Sequence, residues 1–485
     1  MGKFKTPSDY LPIAEYELLP FNFDRLDHGK VLLTNMVGEH CLIDSEALER
    51  LVEHQMQPTD AVFHKLRAKH IIRLRDDSSP HELLGLKLRT KLSRLPTFTN
   101  LHLFVVTLRC DHSCQYCQVS RQSEDKSTFD MSIEHAEKAL QIVFRSPNPA
   151  IKIEFQGGEP LLNFDVVKYV VKRAQEINKF EKRDLAFVIT TTLSLVTDEI
   201  LNFCESNSIH LSSSLDGPED LHNKNRPRPG KDSYKRFVDG LSKARSILGR
   251  DSVSALMTTS PASMPRVKDI IDEYVSLGFN SIFLRHLSPY GFAIKTKSYA
   301  AYTVEKWLEF YEAGLDHIIN INKSGIDFIE QNSAILLSKM FTSRDVGFVD
   351  LMNPSGAGIA AVVFNYDGYV YPSDESRMLV EMGDTAFRMG HLDTHSYEEL
   401  FTSDALMNAL DQSFTWSSPM CHECAYEPWC GADPVFHHGM FGDFIGKKPE
   451  SEFCKRIMGT CRILIRKAES DAFTKQLFMK WANRC

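Results

Sequence analysis

Residues 107–117 read Thr107-Leu108-Arg109-Cys110-Asp111-His112-Ser113-Cys114-Gln115-Tyr116-Cys117. Cys110, Cys114 and Cys117 form C-x3-C-x2-C, with an aromatic residue directly before the last cysteine. Thiolates are the usual ligands of iron–sulfur clusters, so three on one short loop can hold three corners of a four-iron cube. The fourth iron then keeps an open position that can bind a substrate or cofactor and pass it an electron. Zinc is the rival, but it normally takes four ligands in C-x2-4-C pairs. His112 lies between the first two cysteines, where chain geometry makes it a poor fourth ligand. An apolar run, Leu101 to Leu108, feeds the loop and reads as a strand.

Working outward, Ile151-Lys152-Ile153-Glu154-Phe155 alternates apolar and charged residues, which predicts a strand. It runs into Gln156-Gly157-Gly158-Glu159-Pro160. Adjacent glycines allow close backbone approach, and Glu159 offers a carboxylate to an ammonium. The plain alternative is a Gly-Gly turn with Pro160 opening a helix. A third run, Leu211 to Leu215, leads into Asp216-Gly217-Pro218, then His222 and Asn225-Arg226. Asp-Gly-Pro is also an ordinary turn signal. Ser281-Ile282-Phe283-Leu284-Arg285-His286 is a later strand whose last two residues either face a site or form a solvated end.

Together these segments resemble the radical S-adenosylmethionine (SAM) enzymes. The resemblance implies that Cys110, Cys114 and Cys117 hold a [4Fe-4S] cluster that binds SAM. It implies a SAM-binding set of Tyr116, Gly157, Gly158, Glu159, Pro160, Ser214, Asp216, Arg226 and Arg285. In that set Ser214 would bond the ribose or carboxylate, and Arg226 would pair with the carboxylate.

Strands are expected at 101–108, 151–155, 185–190, 210–215, 254–258 and 281–286, with helices between them. Ser132 to Phe144 is a clear helix, with Ile133, Ala136, Leu140 and Val143 on one face. This α/β alternation suits a parallel barrel, and the resemblance makes it a partial (β/α)6 radical SAM barrel over 96–320. Residues 1–95 read as a small α+β, winged-helix-like module. Strands at Gly29–Asn35 and His40–Ile43 precede a helix from Ser45 to His54 and a second one near Pro58. Such a module suits peptide or partner recognition by strand addition, or plain packing. A bridging helix and loop follow at 321–354, then a cluster domain at 355–465 and a C-terminal helix at 466–485.

In the cluster domain, Ala360 to Pro372 reads as a hairpin turning at Asp367-Gly368. Beyond it come Cys421-x2-Cys424-x5-Cys430, then Cys454. This resembles the SPASM extension of anaerobic sulfatase maturases and related peptide-modifying enzymes. Where that pattern has Tyr-Pro-Cys the chain has Tyr371-Pro372-Ser373, and Pro434 stands where another cysteine would be. The resemblance therefore implies one auxiliary [4Fe-4S] cluster on Cys421, Cys424, Cys430 and Cys454, and loss of the other. Zinc competes for this quartet, and Cys461 competes with Cys454 for fourth place. Cys41, Cys204 and Cys485 are expected to be unligated. Asp374, after the hairpin, is either a proton-accepting base, as the maturases imply, or a turn cap for Ser376 or Arg377.

Composition fits a soluble enzyme. The net charge of −8 makes nucleic acid an unlikely partner. No apolar stretch is long enough to span a membrane, and Met1-Gly2-Lys3-Phe4-Lys5 lacks a signal-peptide core. Eleven cysteines without an export signal point to a reducing cytoplasm and metal clusters. Three softer runs, Leu18 to Phe23, Arg285 to Gly291 and Cys424 to Pro434, resemble the His-Xaa-Ser system radical SAM maturases. That family implies a precursor peptide substrate, a second radical SAM protein, a small accessory protein and an external electron donor. The expected activity is cleavage of SAM to a 5′-deoxyadenosyl radical that takes hydrogen from a ribosomally made peptide. Two alternatives stay open: formylglycine formation like that of the sulfatase maturases, and a peptide-recognising scaffold for a second radical SAM protein.

Overall fold

The computed structural model describes residues 16–344 and 346–484. The Met1–Lys5 segment and Cys485, both read from sequence above, lie outside the described residues. The N-terminal part carries β1 (Tyr16–Leu18), β2 (Phe21–Arg25), β3 (Lys30–Asn35), β4 (His40–Asp44) and β5 (Ile72–Leu74). Strands β2, β3 and β4 form an antiparallel meander, and β1 pairs with β5. Helices follow at Ser45–Val52, Ala61–Ala68 and Ser79–Lys91. Side chains alternate across a strand. Val31 and Leu33 of β3 therefore close a private core with Leu48, Leu51, Phe63 and Leu66, while Leu32 between them joins the main core. The expected strand–strand–helix–helix unit is present, with β2 added in front.

The barrel is β6 (Leu101–Thr107), β7 (Ala150–Gly157), β8 (Asp184–Thr191), β9 (Ile209–Ser214) and β10 (Val253–Leu256). These five are parallel and adjacent in chain order. Amphipathic helices return the chain between them. The helix Ile133–Val143 is capped by Ser132, and Asp198–Ser206 by Thr197, each hydroxyl satisfying an orphan N–H.

The sixth unit departs from expectation. Its strand, β11, is only Ser281–Ile282, and it pairs with β12 (Ile329–Glu330) instead of β10. Side chains take the backbone donors that a longer strand would use: Leu284 N–H donates to Glu330 (3.0 Å) and Leu287 N–H to the Tyr302 hydroxyl (3.1 Å). One direct tie to the fifth unit is Thr259 N–H to the Arg285 carbonyl (3.0 Å).

The expected hairpin forms as β13 (Ala361–Phe364) and β14 (Tyr369–Tyr371), followed by β15 (Gly390–His391). It does not stand apart. Strand β13 lies parallel to β6, Ala361 opposite Leu101, so the sheet grows to eight strands. Gly368 at the turn has φ +85°, and a Cβ there would lie 2.7 Å from His391 and 2.9 Å from His135, so only glycine fits. The expected boundary at 466 falls inside the helix Glu452–Ser470. That helix stops at Asp471, whose carboxylate caps the next, Ala472–Ala482. No described helix is long and apolar enough to cross a membrane.

Candidate functional site

Strand β6 delivers the cysteine loop at its C-terminal end, where parallel barrels place their chemistry. The base of the loop is pinned. Buried Arg109 grips Asp130 with Nε and Nη2, both at 2.7 Å, and gives a further bond to the Leu162 carbonyl (2.6 Å). The neighbouring strand laces onto it: Gly158 N–H donates to Thr107 O and Glu159 N–H to Arg109 O, both at 2.8 Å. A Cβ on Gly157 would sit 2.0 Å from Thr107 O, and one on Gly158 2.2 Å from Arg109 O. The two glycines thus let this strand end approach the cysteine loop.

Glu159 corrects an expectation. It is fully buried, and each carboxylate oxygen accepts two bonds from the protein, from Leu161 N–H, the Thr191 hydroxyl, and the N–H and hydroxyl of Thr192. It is a tether between two strand ends, not an open acceptor for an ammonium. Pro160 opens a short 3-10 turn, Pro160–Asn163.

The Nε of Arg226 lies 3.1 Å from Asp216 Oδ1, its guanidinium stands 5.5 Å over the Tyr116 ring, and the Tyr116 hydroxyl donates to the other Asp216 oxygen. Asp216 is fully buried, so it needs this cation. Asp216 and the Tyr116 ring are thus the protein partners of Arg226. The same network carries the loop: the Ser233 hydroxyl bridges His222 Nε2 (3.0 Å) and His112 Nε2 (2.8 Å), and His112 Nδ1 meets Asp111 (2.8 Å). Ligand atoms of Cys110, Asp111 and His112 lie within 4.8 Å of one another. Both imidazole nitrogens are already engaged, though, so His112 is no free fourth ligand. Burial pushes the Cys114 thiol up to about 12 despite the nearby Arg226; only a bound cation would hold it as thiolate. Ser214 ends β9, half-buried.

Against the barrel sheet lies a cavity of about 390 Å³, lined in part by Leu101, Glu154, Arg285, His286, Asp374 and Glu375. Asp374 is not the helix cap. Ser373 caps Asp374–Val380 through a reciprocal box with Ser376, leaving the Asp374 carboxylate at the first helical position. Its buried Oδ1 has no hydrogen-bond partner and lies 3.8 Å from Arg377 Nε. Burial raises its pKa to about 6, against the pull of Arg377. Arg285 faces Glu375 at 3.7 Å. His286 is boxed by Tyr299, Tyr302 and Trp307, and burial holds it neutral.

Sequence reasoning missed Glu375 and Asp433. The latter caps the helix Pro434–Phe441, and burial and Glu375 raise it to about 7. Asp-Pro before an apolar run was the available signal.

Cys421, Cys424 and Cys430 sit on one loop, and Cys454 opens the helix Glu452–Ser470. Burial raises the Cys430 thiol, and the neighbouring Cys454, Cys421 and Cys424 raise it further. Cys461 is two turns further on, about 10 Å along the helix, and fully buried in the apolar core. Among the described residues no three of the four sulfurs come within 4.8 Å of one another. Tetrahedral zinc with bonds of about 2.3 Å would hold them about 3.8 Å apart. Cys41 and Cys204 are buried in apolar clusters.

Residues 104–273 match the family model of the radical SAM superfamily. The match takes in the cysteine loop and strands β7 to β10. The chain is 27% identical over 190 residues to an uncharacterized protein of Methanocaldococcus jannaschii, covering 39% of this chain and 63% of that protein. It is 22% identical over 334 residues to the cysteine-type anaerobic sulfatase-maturating enzyme of Clostridium perfringens, covering 66% and 84%. Two solved structures share the fold. Native anSMEcpe with bound AdoMet and Cp18Cys peptide superposes with a TM-score of 0.63 at 16% identity, covering 80% of this chain and 99% of that one. Streptococcus suis SuiB bound to precursor peptide SuiA gives 0.50 at 13%, covering 85% and 93%.

The family matched over 104–273 has a chemistry that rests on a [4Fe-4S] cluster and SAM. The donor set fits: three thiols on a loop fastened at both ends, beside a glycine pair that admits close approach.

Proposed function

We propose that this radical SAM enzyme removes a hydrogen atom from a residue of a ribosomally made peptide. The observation that carries the reading is the placement of Asp374, a half-buried carboxylate whose Oδ1 has no hydrogen-bond partner, on the barrel cavity of a chain whose cysteine loop suits a SAM-binding cluster. When bound, cluster and SAM together would supply a 5′-deoxyadenosyl radical. Cys110, Cys114 and Cys117 would hold the cluster. Gly157, Gly158, Pro160, Glu159 and Asp216 fix the shape of the surrounding loops, with Tyr116, Arg226 and Ser214 along the edge. Asp374 accepts the proton released as the oxidised residue collapses, Arg285 orients Glu375 beside it, and the aromatic box around His286 keeps water out.

A second centre on Cys421, Cys424, Cys430 and Cys454 would be an auxiliary [4Fe-4S] cluster; the wide sulfur spacing supports iron–sulfur over zinc. The N-terminal module, residues 1–95, would dock the peptide. Strand β4 lies at a sheet edge beside a groove of about 450 Å³ lined by Lys65, Lys69, Lys87, Lys91 and Lys475, with Glu39 paired to Lys87 and Glu469 to Lys475. An extended acidic segment suits both features. A second radical SAM protein, a small accessory protein, an external electron donor and a cytoplasmic setting belong to the same proposal.

The test is anaerobic incubation of reconstituted, reduced protein with SAM and the peptide encoded beside its gene, followed by mass spectrometry. Deuterium placed on the peptide should appear in 5′-deoxyadenosine. Absence of any 5′-deoxyadenosine, with the partners added, would leave only a scaffold role. The similarity over 334 residues to a sulfatase-maturating enzyme favours formylglycine formation as a second reading. A sulfatase peptide losing two hydrogens from its target residue, with the neighbouring peptide untouched, would select it.

A further inference from the structure

The auxiliary cysteine loop is completed by the other end of the chain. Within the loop, backbone N–H groups turn toward sulfur: Tyr426 N–H approaches Cys424 Sγ (3.4 Å) and Ala432 N–H approaches Cys430 Sγ (3.3 Å). Its carbonyls turn outward, and buried carbonyls need donors. The N-terminal module supplies them. Asn22 Nδ2 donates to the carbonyls of His422 (3.0 Å) and Cys424 (3.2 Å), the Thr34 hydroxyl to Ala425 (2.7 Å), and Lys91 Nζ to Pro428 (2.7 Å). The Asp24 carboxylate accepts from the Tyr426 hydroxyl (2.5 Å) and from Arg462 (2.8 Å).

Strand geometry explains why one module can do this. The register sets Asn22 opposite Thr34 and Asp24 opposite Leu32, so all four share one face of the meander. The other face is spent on the module's own core. Beside this face, Gly38 has φ +83°, and a Cβ there would lie 2.8 Å from Trp429 Nε1. His40 packs edge-on against the Trp429 ring at 5.2 Å. The contacts therefore run along the loop from His422 to Trp429, inside the span bounded by Cys421 and Cys430.

We propose that the N-terminal module is a structural half of the auxiliary centre, and that Asn22, Asp24 and Thr34 are positioning residues for the Cys421–Cys430 loop. They hold the carbonyls outward, which keeps the N–H groups on the sulfurs. Hydrogen bonds to cluster sulfurs and exclusion of water set both retention and potential of such a cluster. The module that would dock the peptide thereby also shapes the second metal centre. This rests on the auxiliary-cluster reading above.

The experiment compares wild type with Asn22→Ala, Thr34→Val and Thr34→Ser after anaerobic reconstitution. Iron per chain and the electron paramagnetic resonance of each cluster are read. Wild type should hold about eight irons. Asn22→Ala and Thr34→Val should fall toward about four, with the resonance of the Cys110/Cys114/Cys117 cluster intact as an internal check on folding. Thr34→Ser, which keeps the donor, should retain the iron that Thr34→Val loses. Full iron and an unchanged auxiliary signal in both Asn22→Ala and Thr34→Val would overturn the proposal. So would equal loss from both clusters, since the damage would then be to the fold at large. Wild type with only about four irons would instead overturn the auxiliary-cluster reading. The positioning role is then read from alkylation of Cys421 and Cys424 by iodoacetamide in metal-free protein. Faster labelling in Asn22→Ala supports it, and equal labelling overturns it.

Discussion

Ser373 and Asp374 are neighbours with separable tasks. Ser373→Ala removes a reciprocal cap and should cost about 1 kcal/mol of stability, read as a lower denaturant midpoint with peptide modification unchanged per folded molecule. Asp374→Asn keeps the shape and removes the base. Peptide modification should fall by roughly 10²–10⁴, while iron content and uncoupled SAM cleavage persist. Because its pKa is raised to about 6, modification by wild type should climb as pH rises through 6, and the slope should vanish in the variant. The stability sign runs the other way. A carboxyl group with a raised pKa binds its proton more tightly in the folded state, so its contribution is present at low pH and lost as pH rises toward 6. Denaturant midpoints at pH 4 and pH 7 should therefore converge in Asp374→Asn. At Arg226, truncation to Ala strands the buried Asp216 charge and should cost about 3–5 kcal/mol. Pairing it with Asp216→Asn should recover much of that loss in a double-mutant cycle. A drop in SAM affinity with no stability change would instead place Arg226 on the cofactor.

The element that matters most is the end of β7. Gly158→Ala puts a methyl 2.2 Å from a backbone carbonyl of the cysteine loop, and neither backbone can move without unlacing. The variant should lose the iron of that loop, about four per chain, and keep that of the distal cysteines, as iron analysis would show. Most elements could be read from the sequence. The alternation of Ile151 to Phe155 gave β7, and Ser132 gave a helix start. The sixth strand could not be read beyond Ile282, because the groups that divert it, Glu330 and Tyr302, lie far away in sequence. The second contributing strand of the meander, β2, was hidden for the opposite reason: Phe21 to Arg25 carries polar residues on the face that packs against the cysteine loop, which local patterning reads as a solvated edge.

Across the whole molecule, the distal cysteine loop and the barrel cavity are built from segments far apart in the chain. Hairpin β13–β14 extends the barrel sheet past β6 and so sets Asp374 on the cavity lined by Leu101 and Leu103 of that strand. Reconstituted protein should hold about eight irons, and joint replacement of Cys110, Cys114 and Cys117 by Ala about four. A value near twelve would reveal a third site, and zinc beside four irons would reassign the distal cysteines.

By itself the sequence determined the chemistry of the first centre. Cysteine spacing within one loop is a local property, and so are strand alternation, glycine pairs and the Asp-Gly turn. It left Asp374 between capping and proton transfer, and the structure gives the capping to Ser373. Only the tertiary structure decided which charges have protein partners. Glu159 and Arg226 look unpartnered along the chain and in three dimensions meet Thr191, Thr192 and Asp216. It also set Cys461 in the apolar core and Cys454 at the start of its helix, and closed residues 22–34 around a loop some four hundred positions away. Burial makes a polar group seek partners, and nothing in local sequence records which distant partner it finds.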